Sequence, residues 1–180
     1  MDVPALRTLL DAIVPADDRE AGHRDRIVAL LGGSADPLSR TQFEPGHVTA
    51  GGFVLSPDRS SVLLVLHRKL GRWLQPGGHI EPDDQDIVAA QRREIDEETG
   101  LSDLQWLGVF DLDVHTFPRR GNDPTHEHFD VRSAFVSGDW EVSAGDGTDD
   151  VRWFRFDDMP RGDLSLTRPI AKLRSPMTDD

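Results

Sequence analysis

At 180 residues the chain has room for one ordinary domain with a short appendage, and it is long enough to bury a core. It contains no cysteine, which excludes disulfides, cysteine-ligated zinc, iron–sulfur clusters and thiol nucleophiles. A net charge of −13 spread along the chain repels a phosphate backbone, so bulk nucleic-acid binding is not expected.

The first twenty residues, MDVPALRTLLDAIVPADDRE, lack a basic start, an uninterrupted apolar stretch and a small-residue cleavage site. No apolar run approaches the roughly 18–20 residues of a bilayer crossing. The expectation is a soluble, cytoplasmic protein with no membrane partner. Val3, Leu6, Leu9, Leu10 and Ile13 recur at helical spacing until Pro15 breaks the run. A second helix is predicted from about Asp18 to Leu31, stopping at Gly32-Gly33. Residues 1–44 therefore read as an N-terminal helical extension and 45–180 as the main domain. The extension has three roles open to it: covering a sheet, forming a homodimer contact, or shaping a substrate pocket.

Beyond a loop-like segment the texture turns to strands. His47–Leu55 and Ser61–Leu66 flank the turn-rich Ser56–Ser60, and Arg72–Gln75 leads into Pro76-Gly77-Gly78. A helix is predicted from about Asp86 to Thr99, with Gly100 placed to cap its C-terminus. Strands are predicted at 104–117, 128–137 and 150–156, and a short helix at about 166–174. Strands interrupted by one central helix, with helices at both ends, indicate an α+β sandwich.

The central helix carries the chemistry. Glu94 lies three residues before Glu97 and four before Glu98, so the acids share one face with Cβ atoms about 5–6 Å apart. They also occupy the helix's C-terminal turns, where the dipole is negative. Together the like-charge and dipole terms cost about 1–3 kcal/mol. That is a real fraction of the roughly 5–15 kcal/mol that holds a domain together. A divalent cation relieves it, and clustered carboxylates suit Mg²⁺ or Mn²⁺ rather than Zn²⁺. The plain alternative is a solvated acidic face with Arg93 and Glu97 as a surface pair. The preceding Gly77-Gly78 shifts the balance, because two glycines let backbone approach a ligand and offer it a carbonyl.

These pieces resemble the Nudix box, G-x5-E-x7-R-E-U-x-E-E-x-G-U, with U a bulky apolar residue. The run R-E-I-D-E-E-T-G-L from Arg93 to Leu101 matches its second half at every fixed position. The box spans Gly78–Leu101, and the surrounding strand order extends the resemblance to roughly 45–160. Between Gly78 and Arg93 the chain has one residue more than the pattern. Asp84 takes the place of the early acid after Gly78, yet stands one residue too far from Arg93. A one-residue loop insertion before the helix accounts for this and leaves no secure role for Asp84.

The resemblance implies a Nudix-type α/β/α sandwich with a mixed sheet, and a hydrolase of nucleoside diphosphates linked to another group. It implies metal ligation by Glu94, Glu97, Glu98 and the Gly77 carbonyl, with Mg²⁺ as cofactor and Mn²⁺ as its substitute. It implies that Arg93 orients Glu94 or Glu97, so Arg93, Glu94 and Glu97 form the catalytic set. A non-catalytic nucleotide-binding or regulatory domain on the same fold is the alternative. Such a domain is expected to lose the metal-binding glutamates, and all three are present here. A Nudix-fold isomerase is disfavoured, because that family relies on a cysteine.

Further residues are candidates for binding a phosphorylated small molecule. Asp111, Asp113 and His115 alternate onto one face of a strand, as do His126, His128 and Asp130, with Glu127 opposed. Two such strands either line a cleft or present ordinary solvent-facing sides. His67-Arg68-Lys69-Leu70-Gly71-Arg72-Trp73 is the one basic cluster and directly precedes the glycine turn; it either binds a terminal phosphate or forms a basic hairpin tip, with Trp73 read as a core residue. Arg68, His79, His115, Glu127 and His128 are the substrate-binding candidates, Glu127 also as a general base.

Overall fold

The computed structural model describes residues 1–160, 162 and 164–174; residues 161, 163 and 175–180 of the expected main domain lie outside the described residues. The chain runs α1 (Val3–Asp11), α2 (Asp18–Gly33), β1 (Gly46–Leu55), β2 (Ser61–His67), β3 (Arg72–Leu74) and β4 (Gly77–His79). It continues through α3 (Ile87–Thr99), β5 (Leu104–Phe117), β6 (His126–Ser137), β7 (Thr148–Arg155) and α4 (Leu164–Arg174). Local chemistry sets the helix ends. Asp17 caps α2 by accepting the Glu20 N–H at 2.9 Å, and Asp86 caps α3 by accepting the Ala89 N–H at 2.8 Å. Gly100 ends α3 in the left-handed conformation, at φ 75°, as expected from sequence.

Among the described residues seven strands form one sheet. Its main path is β3-β2-β1-β6-β5, with β4 also on β1 and β7 on β2. β1 and β6 run parallel and the other pairings are antiparallel, so the sheet is mixed. β1 is buried along its whole length, as befits a central strand covered on both faces. On one face Leu6, Leu10, Ile27, Leu30, Leu31, Ile87 and Ala90 pack against Val48, Ala50, Phe129 and Val131. The two N-terminal helices thus cover the sheet alongside α3. Ile95 of α3 continues that face against Val54, Leu63 and Phe135. On the opposite face Leu166, Ile170 and Leu173 of α4 meet Phe53, Leu55, Val62 and Leu64. The expected sandwich is present, with a mixed sheet between helical layers.

Several strand boundaries differ from the sequence reading by one or two residues, and two of these differences bear on the site. Gly77-Gly78, expected as a turn, belongs to β4, in register with Gly51 and Ala50 of β1. A Cβ on Gly77 would lie 2.5 Å from the Ala50 carbonyl oxygen, so the absence of side chains permits this pairing. β6 begins at His126 rather than residue 128, because His126 and Glu127 pair with Phe117 and Thr116 of the long β5.

Candidate active site

α3 presents its acids to the β4 edge. Glu98 Oε2 accepts the Gly77 N–H at 3.1 Å. On an extended strand the N–H and C=O of one residue leave the same edge, so the Gly77 carbonyl shares the Glu98 side. The Glu94 carboxyl rests over Gly78, close enough that a Cβ there would lie 2.6 Å from it. Glu97 stands at the rim, 45 % exposed, and meets Arg93.

Arg93 organises the group. Its Nη1 donates to Glu94 Oε1 at 3.0 Å and to Glu97 Oε2 at 3.2 Å, and its Nη2 donates to the His79 carbonyl at 2.9 Å. Its Nε and Nη2 also reach the two oxygens of Asp84, at 3.1 and 3.0 Å. Asp84 therefore holds Arg93 in a two-pronged pair despite the inserted residue. The extra residue between Gly78 and Arg93 leaves this pairing intact, since a loop can lengthen at little cost. Sequence spacing alone gave Asp84 no secure role, because it cannot show where a loop bulges.

Proton affinities follow this arrangement. Burial pushes the Glu98 carboxyl up to about 8, with Glu94 and Glu97 adding to the rise against the Gly77 hydrogen bond. Burial also raises Glu94, only partly offset by Arg93. Asp84 is lowered: burial opposes its charge, but the hydrogen bonds from Arg93 prevail. Arg93 thus offsets burial only in part at Glu94, and at Glu98 burial prevails over the Gly77 hydrogen bond. Clustered carboxylate oxygens suit Mg²⁺ or Mn²⁺, and Glu94, Glu97, Glu98 and the Gly77 carbonyl are the groups that the family resemblance assigns to such an ion.

The other candidates fall in three places. The β1–β6 register sets His47 beside His128, Thr49 beside Asp130 and Gly51 beside Arg132, on the sheet face away from α3. His115 pairs with His128 across β5 and β6, and His79 reaches the same face from β4, its ring 5.6 Å from that of His128. The expected alignment of Asp111, Asp113 and His115 with His128 and Asp130 is present, but the acids face neither solvent nor an open cleft. Arg132, 1 % exposed, donates to Asp130 at 2.7 Å, Asp111 at 3.0 Å and Asp113 at 3.2 Å. Lys172 of α4 adds a bond to Asp111 at 3.1 Å. These carboxylates are committed to a buried ion network.

Glu127 points to the α2 side and pairs with Arg26. Along β1 its partner Gly46 lies four residues from Ala50, the partner of Gly78, which is roughly 13 Å. Arg68 sits past the end of β2, bound to Asp149 at 2.8 Å and to the Thr148 carbonyl at 2.6 Å. Trp73 is half-buried and packs edge-on against Phe154, in keeping with a packing role. His47, which no sequence motif marked, and His126, expected on one face with His128, join His79 and His128 in one group of rings. Their alternation along β1 and β6 was the available signal.

A mixed sheet between helical layers, with the glutamate helix docked on a diglycine edge, defines a Nudix-type domain. The NUDIX domain model matches residues 45–173, and the chain belongs to that family. A NUDIX-family hydrolase from Clostridium perfringens is similar at 21% identity, covering 73% of this chain and 98% of that one, with a TM-score of 0.54. The NUDIX domain of Shewanella oneidensis NrtR, solved with ADP ribose, is similar at 20% identity, covering 82% and 96%, with a TM-score of 0.55. An ADP-ribose pyrophosphatase from Streptococcus suis is similar at 20% identity, covering 74% and 93%, with a TM-score of 0.50. At these identities the likeness is one of fold. No curated protein matches the chain. Among the described residues no helix is long and apolar enough to cross a membrane.

Proposed function

We propose that this chain is a Mg²⁺-dependent diphosphohydrolase acting on a nucleoside diphosphate-X or nucleoside triphosphate, with Mn²⁺ able to replace Mg²⁺. The observation that carries this reading is the packing of the α3 carboxyl groups against the diglycine edge of β4. Glu94 and Glu98 are packed over Gly78 and Gly77, and both hold their protons more tightly than an ordinary glutamate. Bound Mg²⁺ would neutralise charge on the diphosphate and make a water molecule more acidic. Glu94, Glu97, Glu98 and the Gly77 carbonyl hold the ion in this proposal. Arg93, fixed by Asp84 and the His79 carbonyl, orients Glu94 and Glu97. Glu97, the most exposed of the three, is the acid best placed to accept a proton from water. Arg68, His79, His115 and His128 are proposed contacts for the rest of the substrate. Glu127 remains a candidate base whose use requires its pair with Arg26 to open.

The test is a screen of nucleoside triphosphates, nucleotide sugars, dinucleotides and coenzymes for Mg²⁺-dependent release of phosphate or a nucleoside monophosphate. Glu97→Gln keeps size and shape but removes charge, so turnover on the substrate found should fall by about 100-fold or more. Because it also relieves a repulsive cluster, the melting temperature in chelator should hold or rise slightly. Full activity in Glu97→Gln overturns the catalytic assignment. Tight nucleotide binding without turnover across the screen favours the non-catalytic alternative.

A further inference from the structure

Five of the seven histidines gather at one end of the sheet, on the face opposite the carboxylate helix. Three of them converge tightly. His47, His126 and His128 each offer one ring nitrogen, and the three nitrogens lie within 4.8 Å of one another. Among the described residues no other group of three histidine, aspartate or glutamate side chains brings its donor atoms this close. His126 Nε2 and His128 Nε2 are 3.1 Å apart.

Hydrogen bonding fixes which atoms are free. His47 Nδ1 lies 3.0 Å from the Gln42 carbonyl oxygen, and His126 Nδ1 lies 2.8 Å from that of Pro124. A carbonyl oxygen only accepts, so each Nδ1 carries a proton and the Nε2 of the neutral ring is an acceptor, met at His126 by His128 Nε2. His47 is fully buried, yet its Nε2 has no hydrogen-bond partner. A buried acceptor left unmatched costs about 1–3 kcal/mol, so such an atom calls for a ligand. Metal-binding histidines usually show this same pattern, with the distal ring N–H held by a backbone carbonyl. Burial also disfavours the charged ring at three of these positions: it lowers His47 and His128 and takes His79 down to about 4.

We propose that His47, His126 and His128 form a binding site for a single transition-metal ion of the zinc class, distinct from the magnesium site on the other face. Neutral imidazoles suit Zn²⁺, with Ni²⁺ and Cu²⁺ as competitors, and give Mg²⁺ none of the oxygen ligands it demands. Tetrahedral zinc with bonds of about 2.0–2.1 Å places ligand nitrogens roughly 3.3–3.4 Å apart, so rings whose nitrogens lie within 4.8 Å of one another would close on the ion. On binding, the proton that His128 Nε2 shares with His126 moves to Nδ1, and every ring stays neutral. A fourth position is left for water or for His79, whose ring centroid is 5.1 Å from that of His47. Phe43 and Phe117 wall the cluster, with Phe117 stacked on His128 at 4.6 Å. The ion joins β1 to β6 and pins the segments carrying Gln42 and Pro124. In this assignment His128 serves the ion, and its contact with substrate passes through it.

The test uses the full chain, stripped with chelator and titrated with Zn²⁺ by calorimetry and with Co²⁺ by visible absorption. The expected result is one tight zinc site and the intense visible bands of four-coordinate cobalt. His126→Asn and His128→Gln should each weaken zinc by about 100-fold or more, in line with loss of a metal-site residue. The triple variant Glu94→Gln, Glu97→Gln, Glu98→Gln should keep it. Nitrogen NMR of the wild-type imidazoles removes dependence on variant folding, because zinc must move the Nε2 resonances of His47, His126 and His128. No zinc binding at micromolar concentration overturns the proposal. So does binding that the histidine substitutions leave intact, or that disappears only in the glutamate variant. An unchanged histidine spectrum in saturating zinc overturns it as well.

Discussion

Gly78→Ala separates the active-site geometry from the stability of the fold. The Gly78 backbone lies outside the left-handed region, so alanine meets no conformational barrier there. Its Cβ would, however, sit 2.6 Å from the Glu94 carboxyl carbon and from both carboxyl oxygens. Ordinary contact begins near 3.4 Å, so the carboxyl must retreat by about 0.8 Å. The obstacle is the far end of a flexible side chain, and alanine also restricts the unfolded chain, which contributes about 0.4–1 kcal/mol in the opposite sense. The net stability change should therefore stay within about 1 kcal/mol, a shift of roughly 2–4 °C in melting temperature for a domain of this size. Catalysis is less forgiving, since a misplacement near 1 Å can cost about 100-fold. The assay pairs melting curves with Mg²⁺-dependent turnover on the substrate from the screen. Gly77→Ala provides the contrast. That residue has φ 151° and its Cβ would meet Ala50 backbone at 2.5 Å, so it should lose stability outright. Unaltered kcat and KM in Gly78→Ala, with the protein folded, would refute the view that Glu94 must rest on that glycine.

Two more outcomes follow from the same site. Glu98 holds its proton up to about 8 in the folded chain against an ordinary value of 4.5, so its contribution to stability is present below the lower value and lost as pH rises through the higher. In chelator, melting temperature should fall across that window more steeply for wild type than for Glu98→Gln, and identical profiles would remove Glu98 as the cause. Asp84→Asn takes the charge from the two-pronged pair with Arg93 and should cost about 1–3 kcal/mol in urea denaturation. It should also lower turnover by about tenfold. Wild-type stability and turnover would show that Arg93 is held well enough by Glu94, Glu97 and the His79 carbonyl.

What the sequence determined by itself lay in short-range patterns. Glu94, Glu97 and Glu98 on one helical face, Asp86 and Gly100 at its ends and Gly77-Gly78 before it are local matters of spacing, capping and backbone freedom. The alternation that aligned Asp111, Asp113 and His115 is local too, since successive side chains of a strand take opposite faces. Only the tertiary structure decided what those faces meet. Arg132 claims Asp111 and Asp113 because β5 and β6 bring residues some twenty positions apart into register, while Asp130 lies two residues away on its own strand. Asp84 regains Arg93 because a loop can bulge by one residue without moving its ends. His47 reaches His128 through a parallel pairing of strands some eighty residues apart in the chain. Such pairings depend on which strands become neighbours, and the burial of whole faces sets that, a property no local window of sequence contains.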